Sequence, residues 1–114
     1  MNPLNELINQ IEIQQLWEEE IVLKRNDFLV EKGNTNTNFF LVLEGSMRIF
    51  VVDAAEEHTI RFGYRGNLIA ALDSFLNEAP TELNIQALKK TRLKAVQKKN
   101  LMKMVHTNLK NTTL

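Results

Sequence analysis

Between Ile21 and Val96 the apolar residues arrive in short strings, IVLK, FLV, FFLVL and SMRIFVV among them, each closed by Gly, Asn, Asp or a run of charges. Strings this short cannot cover a packed helix. They suit strands, and in the last of them Met47, Ile49 and Val51 face one way while Arg48, Phe50 and Val52 face the other. Gly45 stands alone between FFLVL (39–43) and SMRIFVV (46–52), which predicts a tight antiparallel pair across it. The polar stretch from Asp53 to Glu57 should turn the chain into a further strand over His58 to Gly63, although it offers neither Gly nor Asn for the turn.

After Gly63 and Gly66, the segment LIAALDSFL reads as a strand end running into one short helix that Pro80 prevents from continuing. Two more strands follow, with Leu83, Ile85 and Ala87 alternating in the first and Leu93 and Ala95 in the second. Helices flank the strands. Leu4, Leu7, Ile8 and Ile11 recur at helical spacing, and Leu16 and Trp17 suggest a second short helix, so helical structure is expected over 4–20. A C-terminal helix over 97–110 would carry Lys99, Lys103, His106 and Lys110 as one basic stripe and Leu101, Met102, Val105 and Leu109 as an apolar face, with NTTL fraying beyond it. The expected architecture is mainly β: a single domain over 1–114 built on a small antiparallel barrel or jelly roll spanning 21–96, with flanking α-helices.

Composition removes several classes of function. The 114 residues contain no Cys, so disulfides, thiolate metal sites and cysteine nucleophiles are excluded. No export signal or long apolar run is present, and a cytoplasmic protein with no membrane contact is expected. His58 and His106 are the only histidines and belong to no HxH or HExxH spacing, so a cupin-type metal enzyme lacks its ligands. No serine sits in a Gly-x-Ser-x-Gly context. Neither catalysis nor a cofactor is expected. The net charge is zero, yet residues 1–82 hold 14 acids against 6 bases and residues 83–114 hold 8 bases and no acid. Only the basic end could meet phosphate or an acidic partner; a solvated helix face explains it equally.

Four segments in order, KRNDFLVEKGN, FFLVLEGSMRIF, GNLIAALDSFLNEAP and TELNIQALKKTRLKAV, resemble the cyclic nucleotide-binding domain, particularly the sensor domains of Crp/Fnr-type transcription regulators. The resemblance implies a double-stranded β-helix fold and a non-catalytic, ligand-sensing role. It also implies a homodimer formed near the C-terminal helix. In members that bind cyclic nucleotides, a cassette of Phe-Gly-Glu, a small apolar pair and a later Pro-Arg followed by a small residue grips the ligand. Backbone N–H groups and the Arg hold the cyclic phosphate, and the Glu takes the ribose hydroxyl. Matching the cassette puts Ile69 at the Phe, Ala70 at the Gly, Ala71 at the Glu with Leu72 beside it, Pro80 at the Pro, Thr81 at the Arg and Glu82 at the small residue. Both gripping side chains are missing, so weak or absent binding of cyclic AMP and cyclic GMP is expected, leaving room for another small or nucleotide-like ligand. No helix-turn-helix falls within 1–114, so direct sequence-specific DNA binding by these residues is not expected.

Other candidates have a functional and a plain reading. Arg61 and Arg65 flank Phe62 and Gly63 just before the cassette and could serve as substitute anion ligands, or be solvated strand and turn residues. Asp73 and Ser74 could meet a ligand or cap the short helix. Glu78 and Glu82 flank Pro80 as a potential carboxylate pair or as loop residues. Trp17, Phe28, Phe39, Phe40, Phe50 and Phe75 are candidates for the core, and adjacent Phe39 and Phe40 must face opposite sides, one into the barrel and one under a terminal helix. A scaffold on which the basic helix carries a protein contact is the alternative to sensing. A concave pocket beside residues 68–82 with converging polar groups would favour sensing; a site filled by Leu72, Phe75 and their neighbours would favour the scaffold.

Overall fold

The computed structural model describes residues 3–18 and 20–111, with side chains described as far as His106. The chain order is α1 (Pro3–Ile13), β1 (Glu20–Leu23), β2 (Phe28–Val30), β3 (Asn38–Glu44), β4 (Ser46–Asp53), β5 (Glu56–Tyr64), β6 (Leu68–Ile69), α2 (Leu72–Asn77), β7 (Asn84–Ala87), β8 (Thr91–Gln97) and α3 (Lys98–Asn111). The strands form two four-stranded antiparallel sheets in the orders β1-β8-β3-β6 and β2-β7-β4-β5. This is the jelly roll that the alternating strings imply. Residues 112–114 of the NTTL tail and the side chains of Leu109 and Lys110 lie outside what is described.

The pairing across Gly45 differs from the expected one. β3 and β4 lie in opposite sheets, so Gly45 is a corner rather than a hairpin tip. A single residue between two strands cannot complete a two-residue hairpin turn, but it can tip the chain from one sheet into the other. Gly45 has φ +103, and a Cβ there would approach the Lys90 carbonyl oxygen to 2.6 Å. KRNDFLVEKGN holds the single strand β2 rather than a strand pair, since β1 ends before it at Leu23, and the two strands of TELNIQALKKTRLKAV are divided between the sheets; among the described strands only β4 and β5 are consecutive in sequence and paired. Their turn is built by Ala54 and Ala55, at φ 50 and 67, which supply the left-handed pair that Asn-Gly normally provides.

A β-bulge in β5 decides which of its residues enter the barrel. Ile49 is opposite Arg61 and Phe50 is opposite Thr59, leaving Ile60 as the extra residue. Arg61 and Gly63 therefore share the inner face with Ile49 and Met47, whereas Phe62 and Tyr64 stack on the outside and remain exposed. Simple alternation would have turned Ile60 and Phe62 inward. Gly63 explains the choice, because a Cβ at that position would lie 2.8 Å from the Ile69 side chain where β6 closes over the barrel.

Two apolar clusters hold the molecule. Phe40, Val42, Met47, Ile49, Ile85 and Leu93 fill the barrel, and each large side chain fully buried there contributes about 1.5–3 kcal/mol. Ile11, Phe75, Val96, Leu101 and Met104 form the second cluster, which Phe39 and Trp17 join from the side. Phe40 is thus the inward member of the Phe39–Phe40 pair. Phe28 departs from the expected aromatic core and is exposed on the outer sheet face, 6.4 Å from Phe50.

The terminal helices also differ in detail. α1 stops at Ile13, and a left-handed Gln15 with Leu16 N–H donating to the Ile11 carbonyl (3.1 Å) closes it. No second helix forms over Leu16 and Trp17, because Glu18 N–H donates to the Ala95 carbonyl at 2.8 Å and draws the chain along the sheet. On α3 the buried pair is Leu101 and Met104, while Met102 is exposed. Lys99, Lys103 and His106 are exposed, as a basic stripe requires.

Candidate functional site

β6 and α2 bring the cassette residues across the open end of the barrel. The chain enters at Leu68 and Ile69, both buried against β3, and passes Ala70 and Ala71, which are buried as well. α2 then runs along the surface with Leu72 and Leu76 exposed and Phe75 directed into the second apolar cluster. Glu78 closes this helix in a left-handed conformation, its N–H donating to the Ser74 carbonyl at 2.7 Å, two residues before Pro80.

A closed hydrogen-bond network centred on Asp73 ties the start of α2 to the loop before β7. Thr81 is fully buried, and its hydroxyl donates to Asp73 Oδ1 at 2.6 Å while accepting the Leu83 N–H at 2.9 Å. The Ser74 N–H donates to the same carboxylate oxygen, and the Glu82 N–H donates to Asp73 Oδ2 at 2.9 Å. The carboxylate of Asp73 thus takes one N–H of the helix start, from Ser74, and two donors of the loop before β7, from Thr81 and Glu82. Burial works against ionisation of Asp73, but the bonds from Thr81, Glu82 and Ser74 outweigh it and hold the carboxyl below its ordinary range.

The network extends to the loop before β3. Gly33 N–H donates to the Thr81 carbonyl and Thr81 N–H to the Asn34 carbonyl, each at 2.8 Å, and the Asn36 N–H reaches the Ser74 hydroxyl at 2.9 Å. Asp73 and Ser74 fasten α2 to the loops around it, while the cap position itself is Ala71, which makes no side-chain cap bond. The carboxylate pair does not assemble. Glu82 is exposed and ion-paired with Lys32 at 3.3 Å, and Glu78 faces Lys98 at 3.5 Å.

Beside this network lies a cavity of about 200 Å³. Ile49, Ile60 and Arg61 line it from β4 and β5, Leu68 and Ala70 from β6 and its exit, and Leu72 from α2. Phe39 and Leu83 complete the wall. Arg61 alone among the lining residues is charged, and its side chain makes no hydrogen bond or ion pair with the described residues. Arg65 sits in the exposed turn before β6 and does not line the cavity. Phe39, Ile49, Ile60 and Leu83 were not singled out as site residues from sequence; the signal that could have found them is a Gly at position 63, which sets which face of β5 is inside.

The cassette is coupled to the start of α3. The Lys98 ammonium donates to the Phe75 carbonyl and lies 5.0 Å above the Phe75 ring. Phe75 in turn meets Phe39 edge-on, with ring centroids 4.5 Å apart. Among the described residues no group of three or more His, Asp or Glu is placed to hold a metal, and no helix is long and apolar enough to cross a membrane.

A model of the cyclic nucleotide-binding domain family matches residues 20–108. The catabolite activator protein of Thermus thermophilus superposes with a TM-score of 0.75 at 18% identity, over 94% of this chain and 48% of that one. The sensor domain of the transcriptional regulator DNR from Pseudomonas aeruginosa gives 0.80 at 16% identity, over 93% and 73%. The c-di-GMP responsive global regulator CLP of Xanthomonas campestris gives 0.76 at 13%, over 94% and 51%. The chain thus spans about half the length of the Thermus and Xanthomonas proteins. No curated protein matches it.

Proposed function

We propose, since the chain belongs to the cyclic nucleotide-binding domain family, that it is a non-catalytic sensor domain whose own Asp73 has taken over the groups that would grip a cyclic phosphate, so that cyclic AMP and cyclic GMP bind weakly or not at all. The observation that carries this reading is Thr81, which stands at the position of the cassette Arg, is fully buried, and spends its hydroxyl on Asp73. Ala71, at the position of the cassette Glu, has no polar atom to offer a ribose. A hydrogen bond to a charged group is worth about 1.5–3 kcal/mol, so two missing contacts remove about 3–6 kcal/mol, or two to four decades of affinity. Glu82 adds a negative charge near the same place.

The cavity beside residues 68–82 is concave, but Arg61 is the one charged or polar side chain that lines it; its concavity, not a convergence of polar groups, supports sensing over scaffolding. Leu72 borders the cavity without filling it, and Phe75 is turned away into the helical cluster. A ligand that draws α2 toward the barrel would reach α3 through the contact of Phe75 with Lys98, the first residue of α3; the shift follows if the ligand prefers one position of α2 by a few kcal/mol. With this role go a cytoplasmic location, homodimerisation near α3, action within a transcription regulator of the kind the solved neighbours represent, and no direct DNA reading by these residues.

Calorimetric titration with cyclic AMP and with cyclic GMP tests the reading. No saturable heat at low-micromolar ligand is expected. A one-to-one complex with low-micromolar dissociation constant would overturn it.

A further inference from the structure

The cavity beside α2 has a chemistry of its own, distinct from the cassette network. Its walls are aliphatic and aromatic side chains, and none of the lining residues is acidic. Arg61 is exposed overall yet lines the cavity, which puts its cation at the mouth rather than at the floor. The bulge at Ile60 gives Arg61 the same strand face as buried Ile49, while at Gly63, further along that face, the Ile69 side chain closes in. The lysines near the cassette are engaged, Lys32 with Glu82 and Lys98 with Glu78 and the Phe75 carbonyl, and Arg65 does not line the cavity.

From this arrangement we infer that the cavity binds a small amphipathic carboxylic acid, its apolar part inside and its carboxylate on the Arg61 guanidinium. The inference rests on the sensor reading above and names the ligand class for it. A guanidinium without an internal partner presents a fork that matches one carboxylate in two parallel bonds. A phosphate dianion needs further donors, and the nearby ones, the Thr81 hydroxyl and the Ser74 and Glu82 N–H groups, are already taken by Asp73. Size points the same way. The cavity of about 200 Å³ is smaller than the roughly 300–1,000 Å³ of sites for drug-sized ligands and equals the volume of about seven water molecules in the liquid. That accommodates a short alkyl chain or a single aromatic ring.

The test titrates octanoate, 3-phenylpropanoate, their neutral primary amides and cyclic AMP into the intact chain and into Arg61→Gln, following backbone amide shifts by NMR. Arg61 is exposed, so the substitution leaves folding intact, and a thermal melt checks that it does. At least one of the two acids should bind saturably, shift Ile60, Leu72 and Leu83, and exceed its amide in affinity by about tenfold or more. Arg61→Gln should erase the difference between acid and amide. Equal affinity of acids and amides for the native chain, absence of binding by both acids, or shifts confined to other surfaces would each overturn the inference. Tight cyclic AMP binding would instead overturn the sensor reading on which it rests, and the acid–amide comparison separates the two failures.

Discussion

Asp73 is the anion around which the start of α2 and the loop before β7 are organised. Three donors converge on its carboxylate. Asp73→Ala leaves the Thr81 hydroxyl and the Glu82 N–H without their acceptor and should cost about 2–3 kcal/mol in denaturant unfolding. A change below 0.5 kcal/mol would mean the network is incidental. The pH dependence has a definite sign. The folded-state pKa of Asp73 lies below its ordinary value, so its stabilisation is fully present above about pH 4 and is lost as the pH falls through that lower folded value. Glu20 is also held below its ordinary range, by its hydrogen bond to Arg92 against a small opposing effect of burial, so several carboxylates shape the acid limb. Asp73→Asn should therefore make the loss of stability below pH 4 shallower without abolishing it; parallel acid limbs in the two proteins would refute the assignment.

Turn residues make an equally local prediction. Ala54 and Ala55 hold left-handed backbone that costs an L-residue with a Cβ roughly 1 kcal/mol or more each. Ala54→Asn combined with Ala55→Gly should raise stability by about 1 kcal/mol, read as a higher denaturant midpoint with unchanged slope. An unchanged midpoint would contradict it. Gly45 is the opposite case: its φ of +103 and the Lys90 carbonyl 2.6 Å from a hypothetical Cβ make Gly45→Ala destabilising by about 2 kcal/mol or more.

At the scale of elements, the sequence reveals strands far better than partners. Alternation along Met47, Ile49 and Val51 and around Ile85 and Leu93 located β4, β7 and β8, because burial on one face writes a period of two into the chain. Pairing leaves no such mark. Gly45 reads the same whether it tips a hairpin or turns a corner between sheets, and the difference is set by β8 and β7, which lie some forty residues further along. The bulge at Ile60 is invisible to alternation for a related reason: it exists because Gly63 lets β6 approach, a contact outside the strand itself. Order and spacing match residues 69–82 to a cassette only through the resemblance, with Thr81 at the position of its Arg. That Asp73 accepts from Thr81, Glu82 and Ser74 required three dimensions, since a helix-start Asp equally serves as an ordinary cap. Lys98 joins α2 to α3 by touching the Phe75 carbonyl and ring. Lys98→Ala should accelerate amide exchange across Leu72–Asn77 by about five- to tenfold, corresponding to about 1–1.5 kcal/mol for one charge-assisted contact, while the barrel strands exchange as before. Unaltered exchange in α2 would show that the contact does not restrain it.

Over the whole molecule, the acidic body and basic C-terminal third meet rather than stay apart. Arg92 on β8 reaches Glu20 on β1 at 2.7 Å and Glu44 on β3 at 3.1 Å, binding three strands of one sheet at its surface. Such exposed pairs contribute little individually. The larger organisation is the division of the core into a barrel cluster and a helical cluster, with Phe75 placing α2 in the second. This makes the segment bordering the cavity part of the same packed unit as the two terminal helices. Ile11, fully buried on α1, is the test of that unity because it touches neither the cavity nor the cassette hydrogen bonds. Truncating it to Ala should cost about 2–5 kcal/mol, and hydrogen exchange should rise together in α2 and in the first half of α3 before it rises in β4 and β7. Uniform acceleration through all strands and helices would mean that the molecule opens only as a whole, leaving no separate unit through which occupancy of the cavity could reach α3.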